Sequence, residues 1–253
     1  MAHEFEKVLA NRKTKTVYKD KDSVVKLFVE DYSKANILNE ALNQARVEEG
    51  TNLNIPKLRE VTKIDNRWAL VSDYVEGKSL DALMQEAKDK EEEYLELFVD
   101  IQLEILSKNV PLLNRIKDKF RRKLNETKLI EENTKYELLQ RLEGMKNHTK
   151  LCHGDFNPSN VIITPNGKWH VIDWSHATQG NASADAARTY LIFCMNGKND
   201  LADKYLKLFS KKSEIAVSNI QRWIPIVAAT ELTKGNKDEQ EFLNKWIDVV
   251  EYQ

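Results

Sequence analysis

The stretch Leu151–Trp174, LCHGDFNPSNVIITPNGKWHVIDW, sets His153, Asp155, Asn157 and Asn160 just ahead of an apolar run and ends on Asp173 and a tryptophan. Val161-Ile162-Ile163 and Trp169 to Ile172 are β-prone. Thr164-Pro165-Asn166-Gly167 lies between them, and Asn-Gly is a hairpin signal because both residues tolerate positive φ. The spacing predicts a hairpin whose outer ends meet, with Asn160 at one end, Asp173 at the other and Asp155 in the loop before. Three oxygen-bearing side chains then converge at one mouth, and carboxylate and amide oxygens are the ligands that a small hard cation such as Mg²⁺ accepts.

The same residues admit two other readings. Asp155-x-Asn157-x-Ser159 matches the start of a calcium-binding loop, but that loop needs Gly at its sixth position and Glu at its twelfth, where Asn160 and Asn166 stand. Taken singly, each residue is an ordinary turn former; it is their combination with the hairpin that points to a site. His153 is read as an internal hydrogen-bonding residue that shapes the loop.

Upstream, Val17–Lys19 and Ser23–Val29 flank the polar turn Asp20-Lys21-Asp22. Ile55–Val61 and Arg67–Val75 flank another near Asp65-Asn66. Between these pairs, Leu38, Ala41, Leu42 and Ala45 recur at helical spacing over 34–49, with Ser33 as N-cap and Gly50 as stop. After Gly77 the chain turns helical. Ser79 caps a helix striped by Leu80, Leu83, Met84 and Ala87; a second stripe runs from Tyr94 to Ile105. Further helical segments are expected over 120–142, 184–195, 200–210, 214–233 and 239–251. These stripes, Trp223 and Trp246 included, are assigned to packing. The expected class is α+β, with a small β-rich lobe over 1–75 and a larger, mainly helical lobe over 76–253.

The balance of 39 basic and 40 acidic side chains argues against a nucleic-acid partner. Mixed charge runs such as Lys88 to Glu93 read as solvated helix faces. Cys152 and Cys194 form neither a CxxC pair nor a zinc pattern. The opening MAHEFEKVLANRK lacks the apolar core of a signal peptide, and no apolar run approaches the roughly 20 residues that span a bilayer. The expectation is a protein of the reducing cytoplasm, with no membrane partner.

The motif H-G-D-x-x-x-x-N, a hairpin, then I-D-W resembles the catalytic and metal-binding segments of the aminoglycoside phosphotransferase and choline kinase family, small-molecule relatives of the protein kinases. In protein kinases the matching elements are H-R-D-x-x-x-x-N and D-F-G; Gly154 in place of Arg points to the small-molecule branch. The resemblance implies a two-lobed protein-kinase-like fold and phosphorylation of a small-molecule hydroxyl by ATP and Mg²⁺, with ATP between the lobes. It implies that Asp155 accepts or orients the proton of the attacking hydroxyl and that Asn160 and Asp173 hold Mg²⁺. Lys26, on a strand, would grip the phosphates in a pair with Glu40 of the following helix, ahead of Glu48 or Glu49 at that helix's end. Adenine would meet backbone groups near Asp73 and Val75. Asp185 would cap the helix after the hairpin and brace the loop.

The chain also departs from the family pattern. No glycine precedes Gly50, so a GxGxxG loop is absent; Asn11 to Thr16 would have to cover the phosphates with backbone amides and the hydroxyls of Thr14 or Thr16. Asn157 stands where protein kinases have Lys, and can hydrogen-bond to a phosphate or hydroxyl without bringing charge. Only eleven residues separate Asp173 from Asp185, little room for the peptide platform of a protein kinase, the first alternative. The second, a non-catalytic nucleotide-binding regulator, would fit loss of Asp155, Asn160 or Asp173, and all three are present. As to the acceptor, residues 181–253 carry ten acidic and ten basic side chains, not the acidic excess that a polycationic substrate calls for. Trp174, Tyr190, Trp223 and Trp246 could face a quaternary ammonium, though core packing is their expected use. Sugars, amino alcohols and other metabolites stay open.

Overall fold

A computed structural model describes residues 5–233, 235 and 237–247. In chain order the elements are β1 (Lys7–Asn11), β2 (Lys15–Asp20), β3 (Ser23–Phe28), α1 (Lys34–Gly50), β4 (Leu58–Ile64), β5 (Arg67–Asp73), β6 (Lys78–Ser79) and α2 (Leu80–Glu86). Then come α3 (Glu91–Ser107), α4 (Ile116–Glu126), α5 (Glu132–Gly144), β7 (Lys150–Cys152), β8 (Val161–Ile163), β9 (Trp169–Val171) and β10 (Thr178–Gly180). The chain continues through α6 (Ala182–Met195), α7 (Asn199–Ser213), α8 (Val217–Gln221), α9 (Ile224–Leu232) and α10 (Lys237–Ile247). The end of the helix expected over 239–251 lies outside the described residues. Among the described residues, no helix is long and apolar enough to cross a membrane.

The chain packs as two units, one holding the residues up to Lys88 together with Pro158–His176, the other Asp89–Asn157 and the residues from Ala177 on. In the first unit a five-stranded antiparallel sheet runs in the order β1-β2-β3-β5-β4. β1 was not anticipated: Val8 and Leu9 are exposed, so this edge strand carries no apolar alternation to betray it. β4 begins three residues later than expected, at Leu58, past Pro56, which has no N–H to give a ladder. The β4–β5 hairpin turns through Asp65 and Asn66, both at positive φ (48° and 61°), the geometry of a tight two-residue turn.

β3 alternates as a half-buried strand must. Val25 and Leu27 pack with Ala69 and Val71 on one face. Phe28 packs with Leu70, Ile37 and Ala41 on the other, beneath α1. Helix α1 departs from the expected stripe: Leu38 and Leu42 are exposed, and the buried face carries Ile37, Glu40, Ala41, Asn43, Gln44 and Val47. The three buried polar residues each have a partner. Gln44 donates to the Pro56 carbonyl (2.9 Å), Asn43 donates to the Ser175 carbonyl (3.0 Å), and Glu40 accepts from Lys26. Ser33 caps α1 as expected, and Ser79 caps α2.

A small sheet, β6-β8-β9, completes the first unit. In the β8–β9 turn Asn166 stays in the ordinary region and Gly167 takes φ 80°. The Gly167 N–H closes on the Thr164 carbonyl at 2.9 Å, a type I turn ending on a left-handed glycine. Gly77, which leads into β6, lies so close to β8 that a Cβ there would stand 2.3 Å from the Ile163 carbonyl oxygen.

The second unit is built on helices. Its core gathers Phe98 of α3, stacked on Phe156 at 4.4 Å between centroids, with Phe193, Tyr205 and Phe209 around them. α9 is buried all round and begins at Ile224-Pro225, where proline's missing N–H costs nothing. β7 pairs with β10, and Leu151 is anchored to the end of α3 by donation to the Lys108 carbonyl (2.9 Å). Trp223 is fully buried and Trp246 half-buried, edge-on to Tyr190.

Candidate active site

In the first unit, β3 projects Lys26 from the face it shares with Phe28, toward α1. Its Nζ stands 2.6 Å from Glu40 Oε1 and 3.0 Å from Asp173 Oδ1. Glu48, by contrast, accepts from the Leu58 N–H (2.9 Å). Burial works against charge on both Lys26 and Asp173. The Asp173 and Glu40 carboxylates nevertheless raise Lys26 above the ordinary lysine value, and Lys26 and Lys15 hold the Asp173 carboxyl far below the usual carboxylate range.

Asp173 reaches this cluster through a backbone conformation that few residues accept, φ 62°. The residues on both sides are tied down. Trp174 donates its indole N–H to the Val171 carbonyl (3.0 Å), Ile172 donates to the Asn160 carbonyl (2.9 Å), and Ser175 receives Asn43 of α1. The Ile172–Asn160 bond sets the ends of the hairpin side by side, as the spacing predicts.

Lys15 was missed. It belongs to β2 opposite Phe28, on the same face as Lys26, with its Nζ 3.3 Å from Glu40 and 3.9 Å from Asp173. The strand had been read from Val17, two residues too late for the alternation to reach Lys15. Lys15, Lys26, Arg12, Asn160 and Asp173 line a cavity of about 410 Å³. Its apolar walls are Val17, Val24, Ile162 and Ile172, and Asp73, Tyr74 and Val75 line it as well. The Asp73 carboxylate accepts from Arg59 (2.6 Å) and from the Lys57 N–H (3.2 Å).

Asp155 belongs to the second unit. The loop that carries it is held residue by residue from one face of α6. Asp185 Oδ1 accepts the Gly154 N–H at 2.7 Å, Arg188 Nη2 donates to Asp155 Oδ1 at 3.1 Å, and Thr189 Oγ1 donates to the Phe156 carbonyl at 2.9 Å. The spacing 185, 188, 189 is that of a single helical face. His153 is fully buried, its Nδ1 accepting from the Asp155 N–H (3.2 Å), and Asn157 donates to the Asp155 carbonyl (2.9 Å). Phe156 anchors the loop in the aromatic core. Gln102 links Asp185, Thr189 and Tyr205 in one buried network. Burial raises the Asp185 carboxyl above its ordinary value, against the lowering pull of the Gly154 N–H and His153.

Asp185 does not cap α6. The cap is Asn181, which accepts the Ser183 N–H at 2.9 Å; Asp185 lies a turn further on, where its side chain reaches the loop instead. The sequence reading assigned no role to Arg188. Its partner Glu231 of α9, at 2.9 Å, carried no sequence signal.

The sequence model of the phosphotransferase enzyme family matches residues 4–215. The chain belongs to that family. This phosphotransferase has the fold of several solved aminoglycoside phosphotransferases. A thermostable mutant of APH(4)-Ia, in ternary complex with AMP-PNP and hygromycin B, superposes with a TM-score of 0.72 at 14% identity, covering 97% of this chain and 93% of that one. An aminoglycoside-3'-phosphotransferase of type VIII gives 0.66 at 12% identity, covering 90% and 93%. APH(3'')-Id from Streptomyces rimosus, in complex with ADP and streptomycin, gives 0.61 at 15%, covering 85% and 90%. No curated protein matches the phosphotransferase in sequence.

Proposed function

We propose that this phosphotransferase moves the γ-phosphoryl group of ATP, with Mg²⁺, to a hydroxyl of a small molecule. The observation that carries the reading is the Lys26–Glu40–Asp173 cluster on the wall of the 410 Å³ cavity. A lysine fixed by a helix glutamate and a carboxylate is what a polyphosphate needs: a cation already oriented, in a partly dehydrated place. Asn160 and Asp173 would hold Mg²⁺. One amide oxygen and one carboxylate fit an ion that takes its remaining ligands from phosphates and water. When bound, the ion neutralises charge on the phosphate oxygens. Asp73 and Val75 would meet adenine through backbone groups.

Asp155 would take the hydroxyl proton as the acceptor oxygen bonds to the γ-phosphorus and the bond to the ADP oxygen breaks. His153, Asn157 and Asp185 hold the loop in which it sits. The AMP-PNP and hygromycin B, and the ADP and streptomycin, bound in solved structures of the same fold support the reading, as does the family. Titration of AMP-PNP with and without Mg²⁺ tests it. Mg²⁺-dependent binding that weakens at least about tenfold in Asp173→Ala is expected; undiminished Mg²⁺-dependent binding in that variant would overturn the metal assignment.

A further inference from the structure

Arg188 is more than 90% buried and lies among acids: its Nη2 stands 3.1 Å from Asp155 Oδ1 and 2.9 Å from Glu231 Oε2, while Nη1 rests 3.9 Å from Met195 Sδ. A guanidinium buried for stability alone would be a poor bargain, because removing a cation from water costs several kcal/mol before any pairing is counted. The two other residues of this helix face that reach the loop, Asp185 and Thr189, hold only backbone. Of the three, Arg188 is the one that reaches the side chain of Asp155, the residue assigned to the hydroxyl proton, which Asn157 Nδ2 also approaches at 3.5 Å. Asn157, where protein kinases place a lysine, is neutral.

We propose that Arg188 is a positioning residue for the transfer step, supplied by α6 in place of a loop lysine and fixed by Glu231 of α9. A planar guanidinium cannot rotate away from two carboxylates that it bridges. It therefore sets the rotation of the Asp155 carboxylate against the incoming hydroxyl. It also offsets the charge that would otherwise repel the phosphoryl oxygens as the acceptor oxygen bonds to phosphorus and its proton passes to Asp155. Glu231 pairs with the guanidinium from α9 as an opposite charge, so it acts through Arg188 and one step further from the chemistry.

The inference rests on Asp155 as the base, so the experiment tests both in parallel. ADP release from Mg-ATP is measured for wild type, Asp155→Asn, Arg188→Met, Arg188→Lys and Glu231→Gln, with water as the acceptor and with a panel of amino alcohols, sugars, nucleosides and aminoglycosides. Arg188→Met should lower kcat about a hundredfold while the KM for Mg-ATP changes less than about twofold. Arg188→Lys and guanidinium ion added to Arg188→Met should each recover part of the loss. Glu231→Gln, which preserves shape should Arg188→Met fail to fold, should lower kcat several-fold with the same unchanged KM. Loss in Asp155→Asn with full kcat in Arg188→Met or Glu231→Gln would overturn the proposal and leave the base standing. Full rates in Asp155→Asn would remove the base and the proposal together. A loss in Arg188→Met that neither lysine nor guanidinium repairs would mean that Arg188 only holds the helices together.

Discussion

The ammonium of Lys26 lies 3.0 Å from the carboxylate of Asp173, 147 residues further along the chain. Nothing local brings them together; the alternation of β3 and the left-handed turn at Asp173 do. Breaking this contact should be costly. Lys26→Met takes away the cation that bridges Glu40 and Asp173, leaving Lys15 beside them, and should destabilise the fold by about 3 kcal/mol in urea unfolding. It should also lower kcat/KM for Mg-ATP at least about a hundredfold. Lys26→Arg should not restore activity, because the longer fork cannot occupy a point 2.6 Å from Glu40 without displacing it.

The position of Asp173 separates chemistry from backbone. Asn tolerates φ near 60° almost as well as Asp does. Asp173→Asn should therefore change stability by no more than about 1 kcal/mol beyond the lost ion pair, while activity falls by two orders of magnitude or so. Asp173→Val should lose activity too, and about 1–2 kcal/mol more in stability, because a β-branched side chain resists the left-handed region. Paired thermal melts and rate measurements distinguish the two.

The sign of the pH dependence follows from the directions of the shifts. The folded Asp173 carboxyl lies below its unfolded value, so its stabilisation is complete above roughly pH 4 and is lost only as pH falls further. The folded Lys26 lies above its unfolded value, so its contribution is complete below roughly pH 10 and is lost as pH rises through the folded value. Between roughly pH 5 and 9 neither group changes charge. Unfolding free energies of wild type and Lys26→Met should differ by a constant amount across that window. A difference that drifts within it would contradict the assignment of both charges.

Asp185 should behave in the opposite way. Buried and raised in pKa, it sits where charge is costly, and its value lies in accepting the Gly154 N–H. Asp185→Asn keeps an acceptor oxygen and should stay within about 1 kcal/mol of wild type. Asp185→Leu takes the acceptor from the Gly154 N–H and one of the partners from Gln102, and should cost about 2–4 kcal/mol. Urea denaturation of the two variants checks the contrast.

Gly77→Ala would drive a Cβ against the Ile163 carbonyl at a backbone φ of 156°. It should cost about 2 kcal/mol and loosen the pairing of β6 with β8, seen as faster amide exchange at Ile162 and Ile163.

The sequence carried the hairpin and, β1 apart, the order of strands and helix in the first unit, because these rest on short-range pattern: alternation, a cap, a turn dipeptide; the Lys26–Glu40 pair came from the family resemblance. It missed what depends on three-dimensional pairing. Lys15 lay hidden because the start of β2 is polar. Arg188 and Glu231 lay hidden because helices distant in sequence meet only in the fold. The stripe assigned to α1 failed for a related reason: its buried face carries Glu40, Asn43 and Gln44, whose partners are backbone carbonyls and a lysine that no hydrophobic periodicity marks. The asparagine cap of α6 was overlooked because Asp185, an equally good cap type, stands four residues later.

The central claim is tested most directly by following the phosphoryl group itself. Mg-ATP is incubated with wild type or Asp155→Asn and the acceptor panel, and mass spectrometry is used to find any acceptor that has gained a phosphoryl group. The account predicts a phosphorylated hydroxyl compound that forms with wild type, in step with ADP, and falls at least about a hundredfold with Asp155→Asn. Equal product from both proteins would contradict it.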